Sequence, residues 1–276
     1  MKNIFAIHTN NYHGFSFEQA LDGISRAGFK YVELSAVKNW TEHVMAYMSD
    51  DELNDIKELM KKYELSAITL SGHCDLFDEQ RLDDFRNNIE LAANMGCKYI
   101  ISSTGEAHFG EKEEVNDDVL VENLKTLIPS LEKHNMILGL ELHGVYCKGE
   151  DMGRVTRLVG SPRIGVNYDT ANVVYFGGTS PIDDIKTCVD QVVHVHLKDS
   201  CGEKGVWNFP GTGQGKLPLK EFMEYMDAHD YEGPYSIEVE YTEDYTMRDK
   251  DQPGDIDVAD KAMADSFAYL HALGRV

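Results

Sequence analysis

Residues 191–200 read QVVHVHLKDS. Val192, Val193, Val195 and Leu197 make a short apolar, β-branched run, while His194, His196 and Lys198 recur at every second position and share one face of a strand. In a parallel barrel, the deeper inward-facing side chains are packing and those at the C-terminal rim meet the ligand. A strand that turns polar towards its C-terminal end fits that geometry. His194, one layer deeper, is therefore expected to be a satisfied core histidine, and His196 and Lys198 are expected at the site.

Working outward, the same alternation runs through the chain. Strands are expected over 4–7 (ending at His8), 31–34 (with Glu33 near its end), 65–70, 98–103, 137–142, 164–168, 192–197 and 235–239. Between them, Ser16 and Gln19 have capping-box spacing before a helix over Ala20, Leu21, Ile24 and Ala27, with Gly28 as its stop. Asp50 is expected to cap the next helix, whose buried face is Leu53, Ile56, Leu59, Met60 and Tyr63. Further helices are expected at 82–92, from Asp117 with a kink at Pro129, at 153–159, 181–189, 218–229 and 258–273. Eight strand signals alternating with eight helix signals predict a (β/α)8 TIM barrel, an α/β fold, in one domain spanning 1–276. Residues 211–215, GTGQG, lie outside the strand-to-helix context of a dinucleotide loop and are expected to be a turn near the barrel mouth.

The 48 acidic residues against 26 basic ones give a net charge of -22, which repels nucleic-acid backbones and anionic membranes. The five cysteines are odd in number and without a CxxC, so neither a disulfide framework nor a thiolate metal site is signalled. A reducing cytoplasm is the expected compartment. The apolar run in MKNIFAIHTNNYHG is too short for a signal peptide, and no run of about 18 apolar residues marks a membrane span.

The strand ends bring together a polar ring: His8, Glu33, His73, Ser103, Glu141, His143, Asp169, His196, Lys198, Glu238 and Glu240. Glu141, Asp169, His196 and Glu238 stand out because each comes where an apolar strand stops, on the fifth to eighth strands in order. Any one alone is an ordinary loop-edge residue. Together, three carboxylates and an imidazole make an oxygen-and-nitrogen set for one divalent cation; manganese is expected first, with magnesium, cobalt, iron or zinc as alternatives.

LELHG, NYDTAN, VHVHLKD and EGPYSIEVE, in this order, resemble the sugar phosphate isomerase/epimerase family, the group with xylose-isomerase-like barrels. The resemblance covers nearly the whole chain. It implies one divalent metal at the C-terminal face, with the family's ligands falling on Glu141, Asp169, His196 and Glu238. It further implies Glu141 and Glu238 as the acid/base pair, and places the lysine of the HxKD motif at Lys198. Asn172 stands where many relatives carry histidine, a form closer to the pentulose-phosphate 3-epimerase branch. Residues 105–116 carry four glutamates against one lysine, which argues against a phosphate grip there.

The implied chemistry is proton abstraction beside a carbonyl, with the enediolate charge stabilised by the cation and one glutamate on each face. His73, His143, Lys198, Asn172 and Trp207 are candidate substrate contacts, and Phe209 shares Trp207's loop. Packing or simple pairing is the alternative for each, Lys198 with Asp169 or Asp199. The expected partner is a small-molecule sugar, with a homo-oligomer left open. Residues 240–257 are expected to form a loop over the mouth or a subunit contact. The rival outcomes are a dehydratase or lyase on a keto-inositol or keto-glycoside, a metal-dependent nuclease, and a barrel that binds sugar without turnover.

Overall fold

The computed structural model describes residues 3–105, 116–240 and 254–276. Eight strands, β1 (Phe5–His8), β2 (Tyr31–Ser35), β3 (Ser66–Ser71), β4 (Tyr99–Ser102), β5 (Ile137–Glu141), β6 (Ile164–Asp169), β7 (Val192–Lys198) and β8 (Tyr235–Glu238), close into a barrel. Each pairs in parallel with its sequence neighbours, and β8 pairs with β1. Around it run α1 (Phe17–Ala27), α2 (Asp50–Lys62), α3 (Leu82–Asn94), α4 (Asp117–Lys133), α5 (Gly149–Val159), α6 (Asn172–Tyr175), α7 (Pro181–Asp184), α8 (Leu219–Ala228) and α9 (Ile256–Ala272). This is the expected (β/α)8 barrel.

The helices form because each carries an apolar stripe that only the barrel wall can cover. Leu53, Ile56 and Met60 of α2 are buried, and so are Leu82, Phe85, Ile89 and Ala92 of α3. The capping box at Ser16 and Gln19 is present. At α2 the cap is Ser49 rather than Asp50: the Ser49 hydroxyl accepts from the Glu52 amide while Glu52 accepts from the Ser49 amide, so Asp50 is already the first helical residue. Pro129 lies inside α4, about one turn from an end that reaches Lys133.

Two other helices depart further from expectation, and one helix is additional. Helix α5 begins at Gly149, four residues before the expected start, where the Gly149 amide donates to Asp184 Oδ2 at 2.9 Å. The helix expected over 181–189 breaks into α7 and two short 3-10 turns because the Cys188 backbone leaves the helical region, with φ -141°. Finally, α6 was not anticipated. It forms because Asp169 Oδ1 accepts from the amides of Ala171 and Asn172 at 2.7 and 2.8 Å, anchoring the chain just before and at its first residue.

Strand register decides which side chains meet at the rim. His8 pairs with Glu33, Asp169 with His196, and Lys198 with Glu238. Irregularities at Val32/Glu33 and Val166/Asn167 shift the register just below the rim. Gly139 on β5 makes room in the layer beneath: a Cβ there would meet Ile101 Cδ1 at 2.7 Å and lie 3.5 Å from His194 Cβ. Among the described residues, no helix is long and apolar enough to cross a membrane.

Candidate metal and sugar site

The ends of β5 to β8 bring Glu141, Asp169, His196 and Glu238 together, all buried, with one ligand atom from each lying within 4.8 Å of the others. His196 is central. Its Nδ1 lies 3.0 Å from Glu141 Oε1 and 3.3 Å from Glu238 Oε2, and its Nε2 donates to Glu33 Oε1 at 3.1 Å. His8 places Nδ1 3.4 Å from Glu238 Oε1. On the other side, His73 Nε2 lies 3.6 Å from Glu141 Oε2. Because the Ser103 amide donates to His73 Nδ1 at 2.8 Å, neutral His73 carries its proton on Nε2, facing the carboxylate.

So many buried carboxylates pull one another's titration apart. Burial pushes Asp169 up to about 8, with Lys198 opposing and Glu238 and Glu141 adding to the rise. Burial likewise raises Glu141, against the pull of His196. Glu238 moves the other way, since Lys198 and His196 together overcome the burial that would raise it. For Glu33 the same contest is won by His196 and His8, and its carboxyl is held low. Burial would lower His196, but Glu33 and Glu238 raise it well above the ordinary imidazole range.

The residues suit a divalent cation. Asp169 Oδ1 is used by two backbone amides, whereas its buried Oδ2 has no hydrogen-bond partner and faces the cluster, 4.0 Å from Lys198 Nζ. An orphaned buried carboxylate oxygen is costly unless a cation or proton takes it up. Glu33 behind His196 completes the pattern of a ligating imidazole oriented by a carboxylate on its far nitrogen.

The profile of the xylose isomerase-like TIM barrel family matches residues 21–266. The chain belongs to that family. Fructoselysine 3-epimerase of Shigella flexneri is 26% identical over 250 residues, covering 84% of this chain and 88% of that protein. Inosose dehydratase of Clostridium perfringens is 24% identical over 256 residues, covering 82% of each. A xylose isomerase-like TIM barrel protein from Mycobacterium smegmatis, solved in complex with magnesium, superposes with a TM-score of 0.77 at 15% identity, covering 99% of this chain and 96% of that one. The relatives are thus sugar-modifying enzymes of two reaction types.

Within this xylose isomerase-like barrel, the five candidate substrate contacts all line one cavity above the cluster. His73, His143, Lys198, Asn172 and Trp207 share its wall with Glu141 and Glu238, while Asp169 and His196 lie beneath. Asn172 Nδ2 donates to Glu141 Oε1 at 3.5 Å. Lys198 Nζ pairs with Glu240, lies 3.5 Å from Glu238 Oε2, and sits 4.5 Å over the Phe209 ring. It does not pair with Asp199. That carboxylate instead accepts the amides of Ser200, Gly213, Gly215 and Leu217, folding GTGQG into the expected turn at the mouth. Trp207 packs edge-on against Tyr175 and Phe209.

Sequence analysis placed His8, Glu33 and Glu240 on the polar ring without giving them a role, and it missed Asn10 and Trp40, which also line the cavity. A glutamate inside the apolar run YVELS was the available signal for Glu33. Nothing comparable marks Asn10 or Trp40. Residues 106–115 and 241–253 fall outside the described residues, and with them the acidic loop and most of the segment 240–257.

Proposed function

We propose that the protein is a divalent-metal-dependent sugar isomerase or epimerase that works on a ketose through an enediolate, with Glu141 and Glu238 as the acid/base pair. The observation that carries this is their placement: both line one cavity, with carboxylate oxygens 3.0 and 3.3 Å from His196 Nδ1. Held by Glu141, Asp169, His196 and Glu238, a divalent cation supplies stabilisation of the negative charge developing on adjacent substrate oxygens. Three hard carboxylates and one imidazole favour manganese, with magnesium, cobalt, iron or zinc as alternatives.

One glutamate takes the proton from the carbon beside the carbonyl and the other returns one to the opposite face, inverting the centre. His73 Nε2–H and Asn172 Nδ2 flank Glu141, and His8 and Lys198 flank Glu238, so each carboxylate is oriented by its own neighbours. Trp40 and Trp207 line the cavity and offer apolar ring surface to a sugar. The similarity to a fructoselysine 3-epimerase supports the same reaction class. A soluble, cytoplasmic setting accords with the scattered cysteines.

The inosose dehydratase relative favours a second outcome, in which the enediolate expels a hydroxyl instead of being reprotonated. Incubating metal-loaded protein with ketoses and keto-inositols in D2O, read by NMR and mass spectrometry, separates the two. Deuterium at a substrate carbon with the skeleton intact is the expected result. Loss of water selects the dehydratase, and no exchange with any substrate overturns both.

A further inference from the structure

A second cavity opens on the same face of the barrel, between the loops that follow β2 and β3. Its volume is about 340 Å³, against about 20 Å³ for the chamber above the metal cluster. His73 lines both. The inner chamber is the smaller of the two, and the outer one has the capacity of a small-molecule pocket.

The outer cavity has a definite chemistry. Lys38 and Arg81 line it with the amide side chain of Asn87, Met45 and Tyr47 add apolar surface, and Asp84 holds Arg81 Nε at 3.0 Å. Lys38 is exposed, and among the described residues it has no ion-pair partner. Tyr47 is 68% exposed, an unusually open position for a large aromatic ring, and its hydroxyl donates to Glu42 at 2.9 Å, which holds the ring at the cavity edge. Because Arg81 is paired with Asp84, which lines the same cavity, Lys38 is the cation there that is left to meet an anion.

We infer that the outer cavity is a subsite for a substituent on the sugar, and that this substituent ends in an anionic group, a carboxylate or a phosphate, met by Lys38. The inference rests on the sugar isomerase or epimerase function proposed above and narrows its substrate class to substituted ketoses. The ketose carbons lie in the inner chamber between Glu141 and Glu238, and the substituent passes His73. His73 then does two things: its Nε2–H faces the reacting end, and its ring sets the path of the chain leaving it.

The test compares three ketoses on the metal-loaded protein: unsubstituted fructose, fructose 6-phosphate, and fructoselysine with its free carboxylate. Wild-type protein, Ala46→Trp, Lys38→Glu and Lys38→Arg are assayed for kcat/KM and, independently, for binding by calorimetry. Ala46 is exposed on the cavity wall, so a large ring there fills the subsite without entering the core.

One or both anionic ketoses are expected to exceed fructose in kcat/KM by about tenfold, with the ratio falling about tenfold in Ala46→Trp and in Lys38→Glu and restored in Lys38→Arg. Which of the two is preferred names the anion. A ratio near one in the wild type, or one that neither Ala46→Trp nor Lys38→Glu moves, overturns the subsite while leaving the isomerase or epimerase function standing. Binding of an anionic ketose that is weakened by both variants, with no turnover of any sugar, upholds the subsite and overturns that function. Neither binding nor turnover overturns both.

Discussion

His194 and His196 leave the same strand on the same face, two residues apart, into two layers of the barrel with opposite chemistry. In the lower layer, His194 Nδ1 donates to Asn167 Oδ1 at 2.8 Å and Nε2 accepts from Thr69 Oγ1 at 3.1 Å. Burial drives its pKa down to about 3, with the Glu33 carboxylate opposing. In the upper layer, His196 faces Glu33, Glu141 and Glu238 and is raised despite equal burial. Desolvation is common to both layers, so what separates them is the charge of the partners. His194 hydrogen-bonds to neutral groups with one carboxylate, Glu33 Oε2, 3.6 Å from its Nε2, and stays a piece of core; three carboxylates around His196 make it part of a charged site.

The sharpest way to break this contrast is to remove charge from the upper layer. Glu141→Gln and Glu238→Gln are each expected to lower turnover by about 10² to 10⁴ while circular dichroism stays native. Near-normal turnover in either variant would remove that residue from the acid/base pair. Glu33→Gln keeps a hydrogen-bond acceptor behind His196 but loses the charge, so metal affinity is expected to weaken by about 10- to 100-fold with kcat recovered at saturating metal. Unchanged affinity in a metal titration would make Glu33 a packing residue.

The upper layer also dictates a pH dependence for metal binding. Asp169, with its pKa pushed up to about 8, is protonated below that pH and must lose its proton to act as a ligand, and raised His196 must free Nδ1 in the same way. Apparent affinity is therefore expected to fall by about tenfold per pH unit, for each proton displaced, as pH drops below 8. Calorimetry in buffers of different ionisation enthalpy reads the proton release directly, and none at pH 7 would contradict these protonation states.

The lower layer should leave the site almost untouched. His194→Phe is expected to cost about 1–3 kcal/mol of stability, by stranding Asn167 and Thr69, and to change metal affinity less than Glu33→Gln does. The sign with pH follows from the lowered pKa. The unfolded chain, titrating near 6.5, binds a proton between that pH and about 3 that folded His194 refuses, so this contribution is present above 6.5 and lost as pH falls through the window. His194→Phe should flatten the stability curve there by up to about 1.4 kcal/mol per pH unit, measured by denaturant unfolding. An unchanged slope would show that His194 is charged in the core.

The chain order of strands and helices, and so the barrel, was legible in the sequence because apolar periodicity is a local property written into every eight to fifteen residues. The four rim residues Glu141, Asp169, His196 and Glu238 were legible for the same reason, each being a polar residue at or near the C-terminal end of an apolar strand. Helix ends were less so: Ser49 took the cap from Asp50, and the Cys188 backbone split the helix after Pro181, because such boundaries depend on single backbone angles and competing side chains. Only the tertiary structure decided the rest. Barrel closure carries Glu33 from β2 across to His196 on β7, and it brings His73 into the lining of two cavities and Glu240 against Lys198. Glu33 and His196 are 163 positions apart in the chain. No local pattern encodes a distance of 3.1 Å across that separation, since it is set by the register and curvature of all eight strands together.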